Sequence, residues 1–475
     1  MSDCCAPSNS STYDLAVVGA GSAGFSAAIT AAEDGASVAL IGSGTIGGTC
    51  VNFGCIPSKA MIRAVEPLRQ AHAAKRFDGV GATARLTNWE AMVAQKQALV
   101  DELRKAKYAD LLPSYNQVSY QEGAARFTAD SGLLVNNELI QARKIVIATG
   151  THAAMPEIPG LDKTPVLDST TALELKTPPT SLLVIGAGYI GAELSQVFAR
   201  AGAKVTMISR RGLLAEGEPE ISAALTGYLA DEGVQSISGI TYKRVESTAS
   251  GVRLWLDRDG ESISLEAEAL LVAAGRAPNT AGLDLAAAGI DTDSRGAIKI
   301  DCAMRTTRDG VYAAGDVTGR DQFVYMAAYG AKIAARNALN GDSLKYDATG
   351  MPAVVFTDPN VATVGLTEAS AREAGMDIKS TVLTLDNVPR ALAARDTRGL
   401  IKLVADAGSK KLIGAHILAP EGADSIQTAA LAIKAGMTYE DLGATIFPYL
   451  TTVEGLKLAA QTFDKDVSML SCCAG

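Results

Sequence analysis

Residues 47–59 read GGTCVNFGCIPSK, and the spacing of Cys50 and Cys55 within them decides how this part of the chain folds. Helical neighbours lie three or four positions apart, so two cysteines five positions apart do not face each other on a straight helix. A disulfide needs Cα atoms about 4.4–6.8 Å apart. The stretch is therefore expected to bend, and Gly54 is the residue that permits the bend.

Pro57 follows the second cysteine and is expected to mark the start of a helix that runs to Phe77. Proline disfavours helical geometry at the preceding residue, Ile56, so the helix should begin near Pro57 itself. Cys55 would then lie beside a helix N-terminus, where a thiolate is favoured. We interpret the two cysteines as a redox pair; the alternative is two cytosolic thiols that lie close without a shared role.

The composition excludes several classes of function. The 475 residues include 43 basic and 52 acidic side chains and no long basic run, which disfavours nucleic acid as a partner. No apolar stretch reaches the length of a membrane span. Residues 1–12 form a polar leader, expected to be disordered, without the basic and apolar regions of a signal peptide. A cytoplasmic location is expected, where paired cysteines are more often catalytic or metal-binding than structural.

The segment from Tyr13 to Gly42 reads as a strand, a glycine turn, an alanine-rich helix and a second strand. The turn has the pattern GxGxxG, formed by Gly19, Gly21 and Gly24. Such glycines let the backbone approach a pyrophosphate at the helix N-terminus, so a dinucleotide site is predicted. The acidic residue expected after the second strand, to hold a ribose hydroxyl, is absent, because Gly42 and Ser43 stand there. Backbone groups or Ser43 are expected to hold the adenosine end.

A second segment, residues 182–209, repeats this design with a fingerprint formed by Gly186, Gly188 and Gly191. Two such units predict two dinucleotide sites. The second strand of this unit is followed by Arg210 and Arg211. A guanidinium suits a 2′-phosphate, so NADPH rather than NADH is the expected second cofactor; the alternative is a solvated basic turn.

The remaining segments predict an α/β chain with two Rossmann-like dinucleotide-binding domains and an α+β C-terminal domain. A long amphipathic helix is expected to end near Tyr108, and Asp316 stands between a short strand and another helix. A change of composition near Pro352 marks the C-terminal domain. The expected domains are a discontinuous first domain at 13–160 and 276–345, a second at 161–275, a third at 350–465, and a flexible tail at 466–475.

In their order and separation, several motifs resemble those of the flavoprotein disulfide reductases over essentially residues 13–463. They are the two fingerprints, GGTCVNFGCIPSK, the ATG turn at 148–150, GRAPNT and GVYAAGD. The resemblance implies FAD in the first site, NADPH in the second and a homodimer built through the C-terminal domain. It also implies that Cys55 is the flavin-proximal thiol and Cys50 the outer, interchange thiol.

The same resemblance assigns residues to the cofactor sites. Lys59 would lie by the flavin ring, and Asp316 would bond the ribityl chain. Tyr189 would cover the flavin until the nicotinamide arrives. The other residues implied at the FAD site are Gly19, Gly21, Gly24, Gly44, Thr49, Ala125, Gly150 and Val324.

The segment near the C-terminus departs from the disulfide-reducing members of that family. Those members carry a histidine, paired with a glutamate, that passes a proton to the leaving thiol. Here Glu454 is retained and Tyr449 replaces the histidine. A leaving thiolate needs a donor with a pKa near neutrality, and tyrosine at about 10 is a poor one. A metal ion held by thiolates needs no such acid.

The adjacent thiols Cys472 and Cys473 indicate a soft metal ion, because such ligands bind it and pass it on by exchange. Together with FPYLTTVEGLKLAAQTF they resemble the branch of the family that reduces Hg(II) to Hg(0). That resemblance implies that the tail of one subunit delivers Hg(II) to the redox pair of the other. It also implies that the phenols of Tyr108 and Tyr449 lie beside the metal path. The expected metal ligands are Cys50, Cys55, Cys472 and Cys473.

Two alternatives stay open. A high-molecular-weight thioredoxin reductase, or another disulfide reductase, would use Cys472 and Cys473 as a redox relay, but it would keep the histidine where Tyr449 stands. A soft-metal sequestration protein on the same scaffold would have no use for hydride, so the intact second fingerprint disfavours it.

Overall fold

The computed structural model describes residues 12–128 and 132–470. This part of the chain forms two compact units, each assembled from three separate segments. The first unit comprises the described residues up to Pro57 together with Gln95–Ala153 and Arg276–Asp347. The second comprises Ser58–Ala94, Ala154–Gly275 and the described residues from Ala348 onward. None of the described helices combines the length and the apolar character needed to cross a membrane.

Helices and strands are numbered in chain order. The helices are α1 (Ser22–Glu33), α2 (Gly48–Asn52), α3 (Cys55–Ala73), α4 (Trp89–Arg104), α5 (Ser169–Ala172), α6 (Tyr189–Arg200), α7 (Pro219–Asp231), α8 (Val324–Asn340), α9 (Glu368–Glu373), α10 (Pro389–Ala394), α11 (Gly422–Lys434), α12 (Tyr439–Ala444) and α13 (Glu454–Gln461). The strands are β1 (Tyr13–Val18), β2 (Val38–Gly42), β3 (Val118–Glu122), β4 (Ala125–Phe127), β5 (Leu133–Val135), β6 (Glu138–Ile140), β7 (Ala142–Ile147), β8 (Thr151–Ala153), β9 (Ser181–Ile185), β10 (Lys204–Ile208), β11 (Gln235–Ile237), β12 (Ile240–Thr248), β13 (Gly251–Arg258), β14 (Glu261–Ala267), β15 (Ala269–Val272), β16 (Arg276–Pro278), β17 (Val311–Ala313), β18 (Pro352–Val355), β19 (Asn360–Gly365), β20 (Ile378–Thr384), β21 (Leu400–Asp406) and β22 (Leu412–Ala419).

The first unit is built around a parallel sheet with the strand order β17-β7-β1-β2-β3. Strand β2 and the second halves of β1 and β7 are apolar, and Leu15 and Val38 are fully buried, as expected for a parallel sheet covered on both faces. Helices α1 and α8 pack together through small side chains such as Ala27 and Ala334. Two small antiparallel sheets, β4-β5-β6 and β8-β16, complete the unit.

The second unit contains another parallel sheet, with the order β11-β10-β9-β15, and an antiparallel sheet β12-β13-β14. The core beside α6 includes Phe198, whose ring stacks on Trp89 with centroids 5.6 Å apart. The indole nitrogen of Trp89 donates to the carbonyl oxygen of Leu175 at 2.7 Å, so the buried ring keeps its hydrogen bond.

The same unit contains the C-terminal antiparallel sheet, with the order β18-β19-β22-β21-β20. Ile401, Ile417 and Leu456 lie in a core that joins this sheet to α11, α12 and α13. There are two parallel sheets, in each of which a glycine turn connects a strand to the following helix, and a C-terminal antiparallel sheet that packs against helices. This confirms the predicted fold class. The domain boundaries drawn from the sequence stay a prediction.

Candidate active site

The cysteine segment bends as its spacing predicts. Cys50 lies in the short helix α2, Cys55 is the first residue of α3, and two residues ending at Gly54 separate the helices. At the start of α2, Gly47 before the helix and Gly48 as its first residue have positive φ angles of 91° and 66°. Such angles favour glycine, which explains the GG pair in the motif. Both cysteines are half-buried.

The start of α3 differs from the sequence-based expectation. The helix begins at Cys55 rather than near Pro57, so Ile56 is helical. Pro57 occupies the first turn, where its missing N–H would have no intrahelical partner in any case. The helix also ends earlier than expected, at Ala73. The Cys55 thiol therefore lies at a helix N-terminus, where the helix dipole favours the thiolate.

The buried side chain of Asn52 fixes the backbone around α2. Its Nδ2 donates to the carbonyl oxygens of Ile46 at 2.9 Å and Gly48 at 2.8 Å. Its Oδ1 accepts a hydrogen bond of 3.2 Å from Nη1 of Arg104. Neither Asn52 nor Arg104 was singled out from the sequence, because no spacing rule connects residues this far apart in the chain.

Tyr108 lies against the cysteine segment. Helix α4 ends at Arg104, earlier than expected, and a π-helical turn over Lys105–Ala109 carries the tyrosine. Its ring meets Phe25 edge-on at 4.8 Å, and its hydroxyl lies 3.4 Å from Oγ of Ser22. Burial raises the pKa of Tyr108, the Ser22 contact lowers it, and negative charge on the two cysteines raises it further. The phenol is therefore neutral at physiological pH.

The first glycine turn has the shape of a pyrophosphate cradle. Gly19 has a φ of 121°, and a Cβ on it would lie 2.2 Å from the carbonyl oxygen of Ala148. A Cβ on Gly24 would lie 1.6 Å from the oxygen of Gly19. Only glycine fits either position. Gly21 then leads into α1, and the N–H groups at the N-terminus of this helix are available to a phosphate. The turn therefore fits the FAD predicted for it.

The end of β2 explains why the usual acidic residue is absent. A Cβ on Gly42 would lie 2.7 Å from Cβ of Ala20 and 2.8 Å from the hydroxyl of Tyr120. The space that an acidic side chain would need is thus occupied by Tyr120. Ser43, proposed as a substitute, is exposed in the turn that follows.

Asp316 lies three residues after the end of β17 and is half-buried. Its Oδ2 accepts a hydrogen bond of 3.1 Å from Thr151, whose Oγ1 and carbonyl oxygen both accept 2.7 Å bonds from Arg276. Burial raises the pKa of Asp316, while Thr151 and Arg276 lower it. Arg276 belongs to the GRAPNT motif noted in the sequence, but its tie to Asp316 through Thr151 was not predicted.

The other residues predicted at the FAD site all belong to the first unit. Gly44 and Gly150, with φ of 100° and 70°, form the turns after β2 and β7. The remaining three are Thr49 in α2, Ala125 at the start of β4 and Val324 at the start of α8.

The second glycine turn repeats the geometry of the first. Gly186 has a φ of 108°, and a Cβ on it would lie 2.2 Å from the carbonyl oxygen of Ala273. A Cβ on Gly191 would lie 2.1 Å from the oxygen of Gly186. Gly188 faces open space, and Tyr189, the first residue of α6, is exposed. This turn therefore also fits a pyrophosphate.

The two arginines after β10 have different surroundings. Among the described residues, Arg211 forms an ion pair with Glu216, whereas Arg210 forms none. Burial raises the pKa of Tyr242 to about 12, although the charge of Arg210 acts to lower it. Tyr242 donates a 3.0 Å bond to the carbonyl oxygen of Ile208, at the end of β10.

Lys59 is anchored within the second unit. Its Nζ donates to Oε2 of Glu193 at 2.7 Å and lies 4.8 Å from the centre of the Phe356 ring. Oε1 of the same glutamate accepts a 2.9 Å bond from the backbone N–H of Phe356. Glu193, which is 5% exposed, was not singled out from the sequence. An acidic residue inside the second fingerprint helix, GAGYIGAE, was the available signal.

Tyr449 lies in the segment that leads into α13, and Glu454 is the first residue of that helix. Tyr449 is exposed, whereas Glu454 is buried and accepts a 3.1 Å hydrogen bond from the N–H of Leu450. Cys472 and Cys473 lie outside the described residues. Within residues 12–128 and 132–470, no group of three or more His, Cys, Asp or Glu side chains is arranged to hold a metal ion.

Two family matches cover most of the chain. Residues 13–333 match the family described as pyridine nucleotide-disulphide oxidoreductase, and residues 351–460 match its dimerisation domain. The chain therefore belongs to the pyridine nucleotide-disulphide oxidoreductases. This confirms the resemblance seen in the motifs.

Within that family the chain is similar to mercuric reductases, which confirms the second resemblance. It is 47% identical over 98% of its length to that of Lysinibacillus sphaericus, of which it covers 85%. It is 44% identical to that of Streptomyces lividans, with 98% of each covered. Among solved structures, it resembles the Cu(II) complex of the HOCl-induced flavoprotein disulfide reductase RclA from Escherichia coli. The TM-score is 0.83 at 31% identity, with 95% of this chain and 99% of that chain covered.

Proposed function

We propose that this protein reduces Hg(II) to Hg(0) with two electrons from NADPH, through FAD and the pair Cys50 and Cys55. The reaction balances as NADPH plus Hg(II) giving NADP⁺, one proton and Hg(0). The observation that carries this proposal is the exposed Tyr449, five residues before the buried Glu454, where a disulfide reductase needs an acid with a pKa near neutrality. Similarity to mercuric reductases supports the same reaction.

The described residues fit both cofactors. The two glycine turns present the N-termini of α1 and α6 to the pyrophosphates, Asp316 would accept a ribityl hydroxyl, and Arg210 would meet the 2′-phosphate. Lys59, held by Glu193, would lie by the flavin ring. The chemistry that bound FAD would supply is acceptance of a hydride from NADPH and two-electron transfer toward the acceptor.

The cysteine pair serves as a metal clamp in its reduced form. Thiolates are the preferred ligands of soft ions, and the position of Cys55 at the start of α3 favours its thiolate. Tyr108 stays a neutral phenol beside the pair because burial raises its pKa. It can donate a hydrogen bond to a thiolate, but it is a poor acid for releasing a thiol. The site therefore suits an acceptor that needs no proton.

Delivery of the metal involves the tail and the dimer. Cys472 and Cys473 of one subunit would pass Hg(II) to the pair of the other by ligand exchange. The homodimer forms through the C-terminal domain, where residues 351–460 match the dimerisation domain of the family. We place this activity in the cytoplasm, with Hg(II) arriving on small thiols.

The test uses purified holoenzyme with FAD bound. We expect NADPH to be oxidised only after Hg(II) is added with a small thiol, and Hg(0) to be released as vapour. Cys50→Ala should abolish this turnover and leave the reduction of the flavin by NADPH intact. Cys302→Ala is the matched control, because that thiol is exposed and should not affect turnover.

A second arm separates the alternatives. Replacing Cys472 and Cys473 with alanine should slow turnover of Hg(II) bound to bulky thiols more than of Hg(II) bound to small ones. If the enzyme instead turned over glutathione disulfide or a protein disulfide and Hg(II) only inhibited it, a disulfide reductase would be the correct assignment.

A further inference from the structure

A side-chain bridge joins the helix that leads to Tyr108 to the helix that carries Cys50. Nη1 of Arg104 donates to Oδ1 of Asn52 at 3.2 Å, and Nη2 donates to Asp101 at 2.6 Å. The guanidinium is thus fixed to its own helix by one arm and to the cysteine segment by the other. Its side chain is 30% exposed and Asn52 is 5% exposed, so water competes little for the contact.

The bridge lies at the residue where the helix changes type. Arg104 is the last residue of α4, and the π-helical turn Lys105–Ala109 follows directly. A π-turn takes one residue more than an α-turn. Tyr108 is the fourth of the five residues in this turn, so the geometry of the turn sets the direction of its side chain. The hydrogen bond from Arg104 ties the start of the turn to Asn52.

Tyr108 reaches the same backbone that Asn52 holds. A Cβ on Gly47 would lie 3.1 Å from the tyrosine ring, so the glycine before α2 makes room for it. Asn52 bonds to the carbonyl oxygens on both sides of this glycine, at Ile46 and Gly48. The backbone around Gly47 is thus contacted directly by the ring of Tyr108 and indirectly by Arg104, through the side-chain amide of Asn52.

We propose that Arg104 is a positioning residue, which through Asn52 holds the π-helical turn so that the phenol of Tyr108 stays beside Cys50 and Cys55. Arg104 itself need not touch the metal or a cofactor. The positioning role rests on the proposed function only in the first test below, which measures turnover of Hg(II).

The first test is a double-mutant cycle on kcat for Hg(II). Arg104→Gln and Tyr108→Phe should each lower kcat by about tenfold, within the range that a misplacement near 1 Å can cause. The double variant should lie within about twofold of Tyr108→Phe alone, since residues that act through one another are not additive. Reduction of the flavin by NADPH should not change. Arg63→Gln is the matched control, because that arginine is exposed and pairs with Glu66 on its own helix.

The second test needs no Hg(II). The ultraviolet titration of the holoenzyme, minus that of Tyr108→Phe, should show one phenol with a pKa above the ordinary value of about 10. The titration of Arg104→Gln, minus that of the double variant with Tyr108→Phe, should show a lower pKa for this phenol. The reason is that the ring is less buried when Arg104 is replaced. If this shift appears while Hg(II) is not reduced, the positioning role stands and the proposed function is wrong.

Two results would overturn the positioning role. One is additive loss in the cycle together with an unchanged phenol pKa. The other is full recovery of kcat in Arg104→Lys, which keeps the charge but lacks the two-armed guanidinium. In that case the positive charge, and not the bridge, would be what the site requires.

Discussion

The two glycine turns of this chain share their backbone and differ in their neighbours. Gly19 and Gly186 are both left-handed, and a Cβ on either would lie 2.2 Å from a carbonyl oxygen of the adjacent strand's end. The middle glycines differ. Gly21 forms a parallel bridge with Gly47 of the cysteine segment, whereas nothing lies within 4 Å of a Cβ placed on Gly188.

This difference shows that one motif can have two structural tasks. The second turn need only approach a nucleotide. The first must also receive the cysteine segment, because a Cβ on Gly48 would lie 2.6 Å from Cα of Gly21. Matched substitutions at the two turns should therefore have unlike effects.

The largest effect is expected at the middle glycines. A Cβ on Gly21 would only touch Cα of Gly48, at 3.6 Å, but the two γ-methyl groups of Gly21→Val would press on the cysteine segment. We therefore expect loss of FAD and a fall of about 1–3 kcal/mol in the free energy of unfolding, as for an overpacked core. Gly188→Val has space for its side chain, so it should stay yellow and stable but fail to bind NADPH. Flavin content, thermal unfolding and NADPH binding measure the contrast. A yellow, stable Gly21→Val variant would contradict it.

A smaller effect is expected at the end of β2. Gly42→Glu would restore the acidic residue that the first fingerprint lacks, yet Ala20 and Tyr120 occupy the space. We expect weaker FAD binding, by about thirtyfold, because the added side chain must displace Tyr120. Gly42→Glu combined with Tyr120→Ala should recover part of the loss. Tighter FAD binding by the single variant would show that the strand end can rearrange.

The smallest effect is expected at the arginines of the second turn. Arg210→Ala should weaken the binding of NADPH by about tenfold, because one charge-assisted hydrogen bond is lost. The binding of NADH should stay nearly unchanged. Arg211→Ala should lower the affinity for NADPH by about threefold or less, because Glu216 already neutralises that guanidinium. Calorimetric titration with 2′,5′-ADP measures both without turnover. Equal losses for NADPH and NADH would refute the 2′-phosphate assignment.

The sequence predicted the structure correctly where the backbone geometry of a short segment depends only on its own residues. Both glycine turns, the bend at Gly54 and the position of Cys55 beside a helix start follow from local backbone rules, and the structure has them. The exact start of α3 does not follow, because proline is tolerated throughout the first helical turn as well as at its first residue.

Contacts between distant segments could not be read from the sequence. Arg104 meets Asn52, Arg276 reaches Asp316 through Thr151, and in each case no periodicity links the partners. The π-helical turn at Tyr108 was not predicted either, since its residues KAKYA contain no glycine or proline that would mark a change of helix type.

The interleaved segments of the two compact units have a consequence for synthesis of the chain. The sheet of the first unit is complete only when β17 pairs with β7, yet more than 160 residues separate the two strands. At about 5–20 residues per second, β17 leaves the ribosome about 8–33 s after β7. During that time one edge of β7 has no partner strand, and an open edge invites pairing with other chains. The yield of this protein in cells should therefore depend on chaperones that bind the nascent chain.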